Sequence, residues 1–322
     1  MNRILSIVVA ATAAFATPAL AQGYPNKPIT LIVPYAAGGP SDVAARLVIK
    51  GMSESLGQQL ILENIAGAGG TAGAARLAKA SPDGYTLMIH HVALSAAASL
   101  YKNPGYDTLT AFEPIGLVNY GPFVLTSKKD YPAQGLKEIL AKLKVEGPKT
   151  SVAHAGTGSG SHLCGMMIAQ ALQTSFNYIP YRGTAPALND IVGGQVEVLC
   201  DQTSNALPQI QANTVKAYGV TATQSLSQLP GLPTLASELP GFDLSVWHGI
   251  YGPKGLPKEV VEKLNIALQK TLADPDVQKR FNELGTILFP ADQRSPAALQ
   301  AKLEKEVKHW AGVVKTAGIE PQ

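Results

Sequence analysis

Cysteine is scarce in this sequence: only Cys164 and Cys200 occur. Neither belongs to a CxxC pair, which excludes the redox and zinc motifs built on that spacing. Charge is sparse as well: 26 basic and 23 acidic residues, nearly in balance, make up 15 % of the composition. So even a balance gives no electrostatic footprint for nucleic acid. Beyond the N-terminal stretch, no apolar run approaches the ~18 residues that span a bilayer. A P-loop, an HExxH pair and an EF-hand loop are all missing, so no metal and no cofactor is expected.

What is present begins with an address. Asn2 and Arg3 form a short basic region, Ile4 to Ala16 an apolar one, and Ala19-Leu20-Ala21 a small-x-small cleavage site. That pattern predicts a secretory signal peptide over 1–21, cleaved after Ala21, and a soluble exported protein. In an oxidising compartment, a disulfide between Cys164 and Cys200 is the expected state; two buried free thiols are the alternative. The length suggests about two domains, and 46 % hydrophobic residues supply ample core.

The chain is organised around residues 28–57, PITLIVPYAAGGPSDVAARLVIKGMSESLG. Ile29 to Val33 is a β-branched apolar run that suits a strand buried on both faces. Pro34 ends it, and Gly38 and Gly39 are free to take positive φ. Pro40 fits a first helical position, and Gly57 a C-cap. A strand, a Gly-rich loop and a helix start offer unpaired N–H groups to an anion. The plainer reading is a tight turn with Asp42 capping its own helix.

The device recurs downstream. Ser151 to Ala155 reads as a strand, Gly156 to Gly160 as a flexible loop, and Ser161 as the N-cap of a helix reaching Leu172. Gln195 to Cys200 is a further strand, which places Asp201 at its C-terminal end, where open α/β sheets bind ligands. Strand patterns also cover 59–65, 85–89, 116–126, 176–181, 215–220 and 245–251, and helices 93–100, 135–144, 257–272, 275–284 and 296–316. Repeated strand–loop–helix units predict a doubly wound α/β protein. Crossings near Gly121-Pro122 and near Leu244 to Trp247 imply two lobes, 22–122 plus 246–322 and 123–245.

Enzyme chemistry finds little support. None of Ser41, Ser159 and Ser161 has both glycines of a nucleophile elbow (Ser41 has Gly39 before it but Val43 after), and His162 directly follows Ser161. The adjacent His90 and His91 point to opposite sides of a strand, so at most one faces a cleft. Arg182 is either a bidentate carboxylate ligand or a solvated surface residue. Trp247 either walls a ligand or packs a core or hinge. The Gly67-x-Gly69-x-x-Ala72 run is only a relaxed dinucleotide fingerprint, better read as close helix–strand packing.

Taken together, YPNKPITLIVPYAAGGPSDVAAR, LENIAGAGGTAGAA, SPDGYTLM, AGTGSGSHL and YIPYRGTAPALNDIVGGQVEVLCD resemble the tripartite tricarboxylate transporter substrate-binding proteins, the Bug receptors. The resemblance runs from Tyr24 to the C-terminus. It implies a two-lobed periplasmic binding protein of the Venus-flytrap, type II-like kind, with its ligand cleft between the lobes. It implies a monomer that takes a small organic carboxylate to membrane transporter subunits. On the first lobe it places Tyr35, Ala36, Ala37, Gly38, Gly39, Pro40, Ser41 and Asp42 at the ligand; His91, in a strand-end region that varies across the family, is a candidate from its position alone. On the second it places Thr157, Gly158, Ser159, Gly160, Ser161, His162 and Asp201 there, while Arg182 stays a candidate from its own chemistry alone.

Overall fold

The structure is a computed structural model that describes residues 23–321, so the expected signal peptide and its cleavage site lie outside the described residues. The strands are β1 (Ile29–Val33), β2 (Leu60–Asn64), β3 (Thr86–His91), β4 (Phe112–Lys128), β5 (Ser151–His154), β6 (Asn177–Pro180), β7 (Val198–Gln202), β8 (Val215–Val220), β9 (Ser245–Pro253) and β10 (Ile287–Leu288). The helices are α1 (Pro40–Leu56), α2 (Thr71–Ala78), α3 (Ala93–Leu100), α4 (Leu136–Glu146), α5 (Gly160–Leu172), α6 (Thr184–Val192), α7 (Thr203–Gln211), α8 (Lys258–Ala273), α9 (Pro275–Glu283) and α10 (Pro296–Thr316).

The protein is a two-lobed α/β fold strung on one strand. Sheet order is β2-β1-β3-β9-β4-β7-β5-β6. In the first lobe, β1 lies parallel between β2 and β3, as its unbroken apolar sequence requires. In the second, β5 lies parallel between β6 and β7. The long strand β4 joins the two halves. It pairs with β9 up to Pro122 opposite Ser245, then with β7 from Phe123 opposite Gln202. No N–H is available at Pro122 to continue a ladder, so the change of partner falls where a hydrogen bond is lost anyway. Trp247 is 1 % exposed and packs in the core beside this crossing, facing Tyr120 across the β4–β9 ladder.

Local signals account for most helix ends. Pro40, Pro275 and Pro296 occupy first turns, and Gly57 closes α1 in the left-handed conformation, donating its N–H to Ser53. Several details differ from the sequence reading, α2 and β10 among them. Ser159, not Ser161, is the N-cap of α5, accepting from the His162 N–H. His90 and His91 belong to β3 itself and both are buried, because that strand is covered on both faces. Helix α7 was not expected, since Pro208 stands inside it. The disulfide is formed: Cys164 on α5 and Cys200 on β7 tie a helix to the sheet beneath it in the second lobe.

The first-lobe core shows how closely α1 and α8 approach. A Cβ on Gly51 would lie 2.8 Å from both Oγ1 and Cγ2 of Thr271, a buried, stiff, β-branched side chain. Intrinsic propensity favours alanine over glycine mid-helix by about 1 kcal/mol. Overpacking costs about 1–3 kcal/mol and outweighs it. Gly51→Ala is therefore expected to lower the stability measured by urea denaturation, and Thr271→Ala in the same chain to recover part of the loss.

Candidate functional site

The cavity between the lobes is small, about 20 Å³, roughly the space of a single water. The lobes touch around it. The Ala36 N–H donates to the Arg182 carbonyl at 3.1 Å, and the Tyr101 hydroxyl donates to the Thr157 carbonyl at 2.7 Å. A Cβ on Gly69 would fall 1.8 Å from that same Thr157 oxygen, so only glycine permits the approach. The structure is a closed form.

Four helix N-termini meet at the cavity. Gly39, Pro40 and Ser41 bring the start of α1, and Ser159, Gly160 and Ser161 the start of α5. Thr184 opens α6 and Gln202 immediately precedes α7. The first turn of any α-helix leaves N–H groups without intrahelical acceptors, at the positive end of the helix dipole. Helices α1, α6 and α7 have no side-chain cap bond to satisfy theirs. Hydroxyls add to this supply: Ser161 Oγ accepts from the Ala155 N–H at 2.9 Å and lies 3.2 Å from Ser159 Oγ. No lysine or arginine lines the cavity. Attraction for an anion here comes from backbone dipoles and neutral donors.

The first-lobe wall is built of rings. Tyr35 stacks on His91 with centroids 4.8 Å apart, and its hydroxyl donates to the Gly69 carbonyl at 2.6 Å. His91 Nδ1 accepts the Ala93 N–H at 3.1 Å, so a neutral His91 carries its proton on Nε2. Burial, with His90 and His248 beside it, holds its pKa well below the usual histidine range. His91 is thus a neutral donor in the wall of the cavity. Ser41 Oγ lies 3.1 Å from His248 Nε2, a contact that nucleophilic serines also make. His248 Nδ1, however, is buried with no partner among the described residues, so no third group orients the ring.

Several expected site residues stand beside the cavity rather than in its wall. Asp42 does not cap its own helix as the plainer reading has it but ties the preceding turn to it: it accepts from the Gly38 N–H at 3.0 Å, Arg46 Nε at 2.8 Å and Asn64 at 3.1 Å. Burial raises its pKa, but Arg46, the Gly38 N–H and Asn64 together hold it below the ordinary value. Ala36 makes the lobe contact, Ala37 and Gly38 are exposed, and of the two glycines only Gly38 takes positive φ, at 79°, while Gly39 is extended. Thr157 and Gly158 pack against the first lobe through Gly69, Leu100 and Tyr101. His162 is turned inward: its Nδ1 accepts the Gly158 N–H at 3.2 Å and its ring packs on His154 and Tyr178. The Arg182 side chain is exposed, and that residue contributes its carbonyl. Tyr35, Gly39, Pro40, Ser41, His91, Ser159, Gly160 and Ser161 do line the cavity.

Asp201 lies one layer behind. Its side chain is fully buried, accepts from the Gln202 N–H at 2.9 Å, and is held by Asn205 Nδ2 and the Thr184 hydroxyl. Thr184 and Gln202 themselves line the cavity, with Phe123 and Ala155, and were not foreseen. Thr184 was legible as a helix start, with Gly183 before it and Pro186 in the first turn. Gln202 carried no local signal. Among the described residues, no group of three or more His, Cys, Asp or Glu side chains is placed to hold a metal, and no helix is long and apolar enough to cross a membrane.

A matching family model, tripartite tricarboxylate transporter family receptor, covers residues 44–319. A protein of Agrobacterium vitis from the TAR-I ttuE-ttuC' intergenic region is 41 % identical over 98 % of this chain and 92 % of its own. The periplasmic binding protein BugD superimposes with a TM-score of 0.91 at 46 % identity, covering 93 % of this chain and all of its own. MatC of Rhodopseudomonas palustris, solved with bound malate, gives a TM-score of 0.87 at 37 % identity, over 90 % of this chain and all of its own.

Burial pushes the Asp201 carboxyl up to about 7, against the bonds from Asn205, Thr184 and Gln202. A carboxyl whose folded-state pKa is raised favours folding most below its unfolded value, about 3.9, and that contribution is lost as pH rises through the folded value. Asp201→Asn cannot ionise. Wild type is expected to lose on the order of 3–4 kcal/mol relative to Asp201→Asn between pH 4 and pH 7, measured by denaturation at each pH. Parallel profiles would show that Asp201 titrates as an ordinary carboxylate.

Proposed function

Because this chain belongs to the tripartite tricarboxylate transporter receptor family, we propose that it captures a small organic dicarboxylate in the periplasm and delivers it to a membrane transporter. The observation that carries the reading is the ring of helix N-termini around a cavity free of cationic side chains. Helices α1 and α5 come from opposite lobes, and each opens on a Gly/Ser loop. One carboxylate at each N-terminus makes the ligand itself the bridge between the lobes. Binding with hinge closure, not catalysis, is the mechanism. The malate bound to MatC is a ligand of that size and charge.

The hinge is assigned to the two crossings, where β4 passes from β9 to β7 and where β9 begins. Residues 22–122 with 246–322 then move against residues 123–245, as a monomer. The tiny closed cavity requires the lobes to part for a ligand to enter. The unoriented His248 ring supports binding over a hydrolytic reading of Ser41. The alternative role, a periplasmic sensor that feeds a signalling receptor, uses the same capture step and differs only in the docking partner.

Hydrogen bonds to charged groups contribute about 1.5–3 kcal/mol each. Removing one carboxylate charge should therefore weaken binding at least about tenfold. Thermal shift with succinate, malate and adipate is expected to raise the melting temperature, since a ligand of the native state alone must stabilise it. Calorimetry should rank the best diacid at least about tenfold above its monomethyl ester. Equal affinity for diacid and ester would show that one of the two helix N-termini is only a turn; no shift with any diacid would overturn the reading.

A further inference from the structure

Behind the cavity sits a carboxylate that the ligand-binding scheme does not use. Asp201 is the penultimate residue of β7, is fully buried, and has no ion pair among the described residues. Its partners are neutral donors: the Gln202 N–H, the Asn205 amide and the Thr184 hydroxyl. Two of these residues line the cavity, and they begin α6 and precede α7. One side of Gln202 and Thr184 therefore serves the cavity, and the other serves a resident acid.

No nearby charge offsets it. Strands β4 and β5 and helices α5, α6 and α7 pack around this end of β7. Across the β4 ladder, Asp201 faces Val124. His154 on β5 and His162 on α5 pack on each other at 4.6 Å, and burial keeps both low in pKa. Asp190 on α6 is held by the Tyr181 hydroxyl, α7 carries no titratable side chain, and Arg182 is exposed. From the first lobe, α1 brings Asp42 already paired with Arg46.

An ionised Asp201 complements the positive ends of α6 and α7 from within and repels an anion arriving on the cavity side. A protonated Asp201 releases both helix ends and removes the repulsion. We propose that Asp201 is a specificity-determining acid that is neutralised when a carboxylate ligand enters, so that capture takes up a proton together with the anion. The bond formed is O–H on the Asp201 carboxyl, and the proton comes from solvent. Burial already places this carboxyl at about 7, and a second negative charge in the same low-dielectric site raises it further. The proposal rests on the carboxylate-receptor reading above.

The probe is L-malate, titrated calorimetrically at pH 8 in Tris and in HEPES, whose ionisation heats differ. Wild type is expected to take up about 0.5–1 proton per malate, and affinity to fall by up to about tenfold per unit of rising pH. Both malate carboxyls stay ionised throughout, so the ligand contributes nothing to that slope. Asp201→Asn keeps the side-chain shape and should bind malate with no proton uptake and a flat profile between pH 7 and pH 8.5. No uptake by wild type, or equal uptake by the variant, overturns the proposal. A second arm needs no ligand: the infrared carboxyl band of the unliganded wild type at pH 6, minus that of Asp201→Asn, should show one protonated acid that disappears by pH 8.5. Absence of that band overturns the proton site by itself. Failure of malate to bind while the band is present counts against the carboxylate reading and not against the acid.

Discussion

The structure depends on one constraint: a helix cannot satisfy the N–H groups of its own first turn. In most folds side-chain caps or water take them. Here α1, α6 and α7 begin without a side-chain cap, and with α5 they begin at the same place. Each helix follows a strand that ends at the lobe boundary, so the parallel sheets fix where the free donors lie. The long β4 then sets the two sets of donors face to face. An anion that fills the gap completes hydrogen bonding that the fold leaves open, and needs no lysine or arginine to do so.

The two acids near this ring show how the fold manages its own charges. Asp42 sits inside the first turn of α1, where it takes the Gly38 N–H, but Arg46 neutralises it from one turn on. Its field at the cavity is cancelled, and the N–H groups that follow Pro40 stay available. Asp201 has neutral partners only and remains an uncompensated charge whenever it is ionised. The same residue type at two strand–helix junctions therefore does two jobs, separated by whether a guanidinium lies one helical turn away.

Much of this was legible in the sequence because it is local. Proline at a first turn, glycine at a C-cap and β-branched runs each act within a few residues, so β1, α1, β8 and α10 stand where the pattern puts them. The cysteine pair was legible from compartment and count. The family resemblance placed both Gly/Ser loops at the ligand, and Tyr35, Ser41, His91, Ser159 and Ser161 do meet at the cavity. What was not legible depends on tertiary packing. Whether Gly38 or Gly39 takes positive φ is decided by the Asp42 bond to Gly38. Whether His162 faces in or out is decided by Tyr178 and His154, which are distant in pattern though close in space. Gln202 and Phe123 reach the cavity only because β4 and β7 pair in one register, with those two residues opposite each other.

The central claim is that backbone donors at helix starts, and not basic side chains, hold the ligand. A crystal structure of the protein grown with malate tests it most directly. The account predicts one carboxylate within hydrogen-bond distance of N–H groups in the first turn of α1, and the other at the first turn of α5, with no lysine or arginine in contact. A malate held by a guanidinium or ammonium group, or seated away from these helix starts, would contradict it.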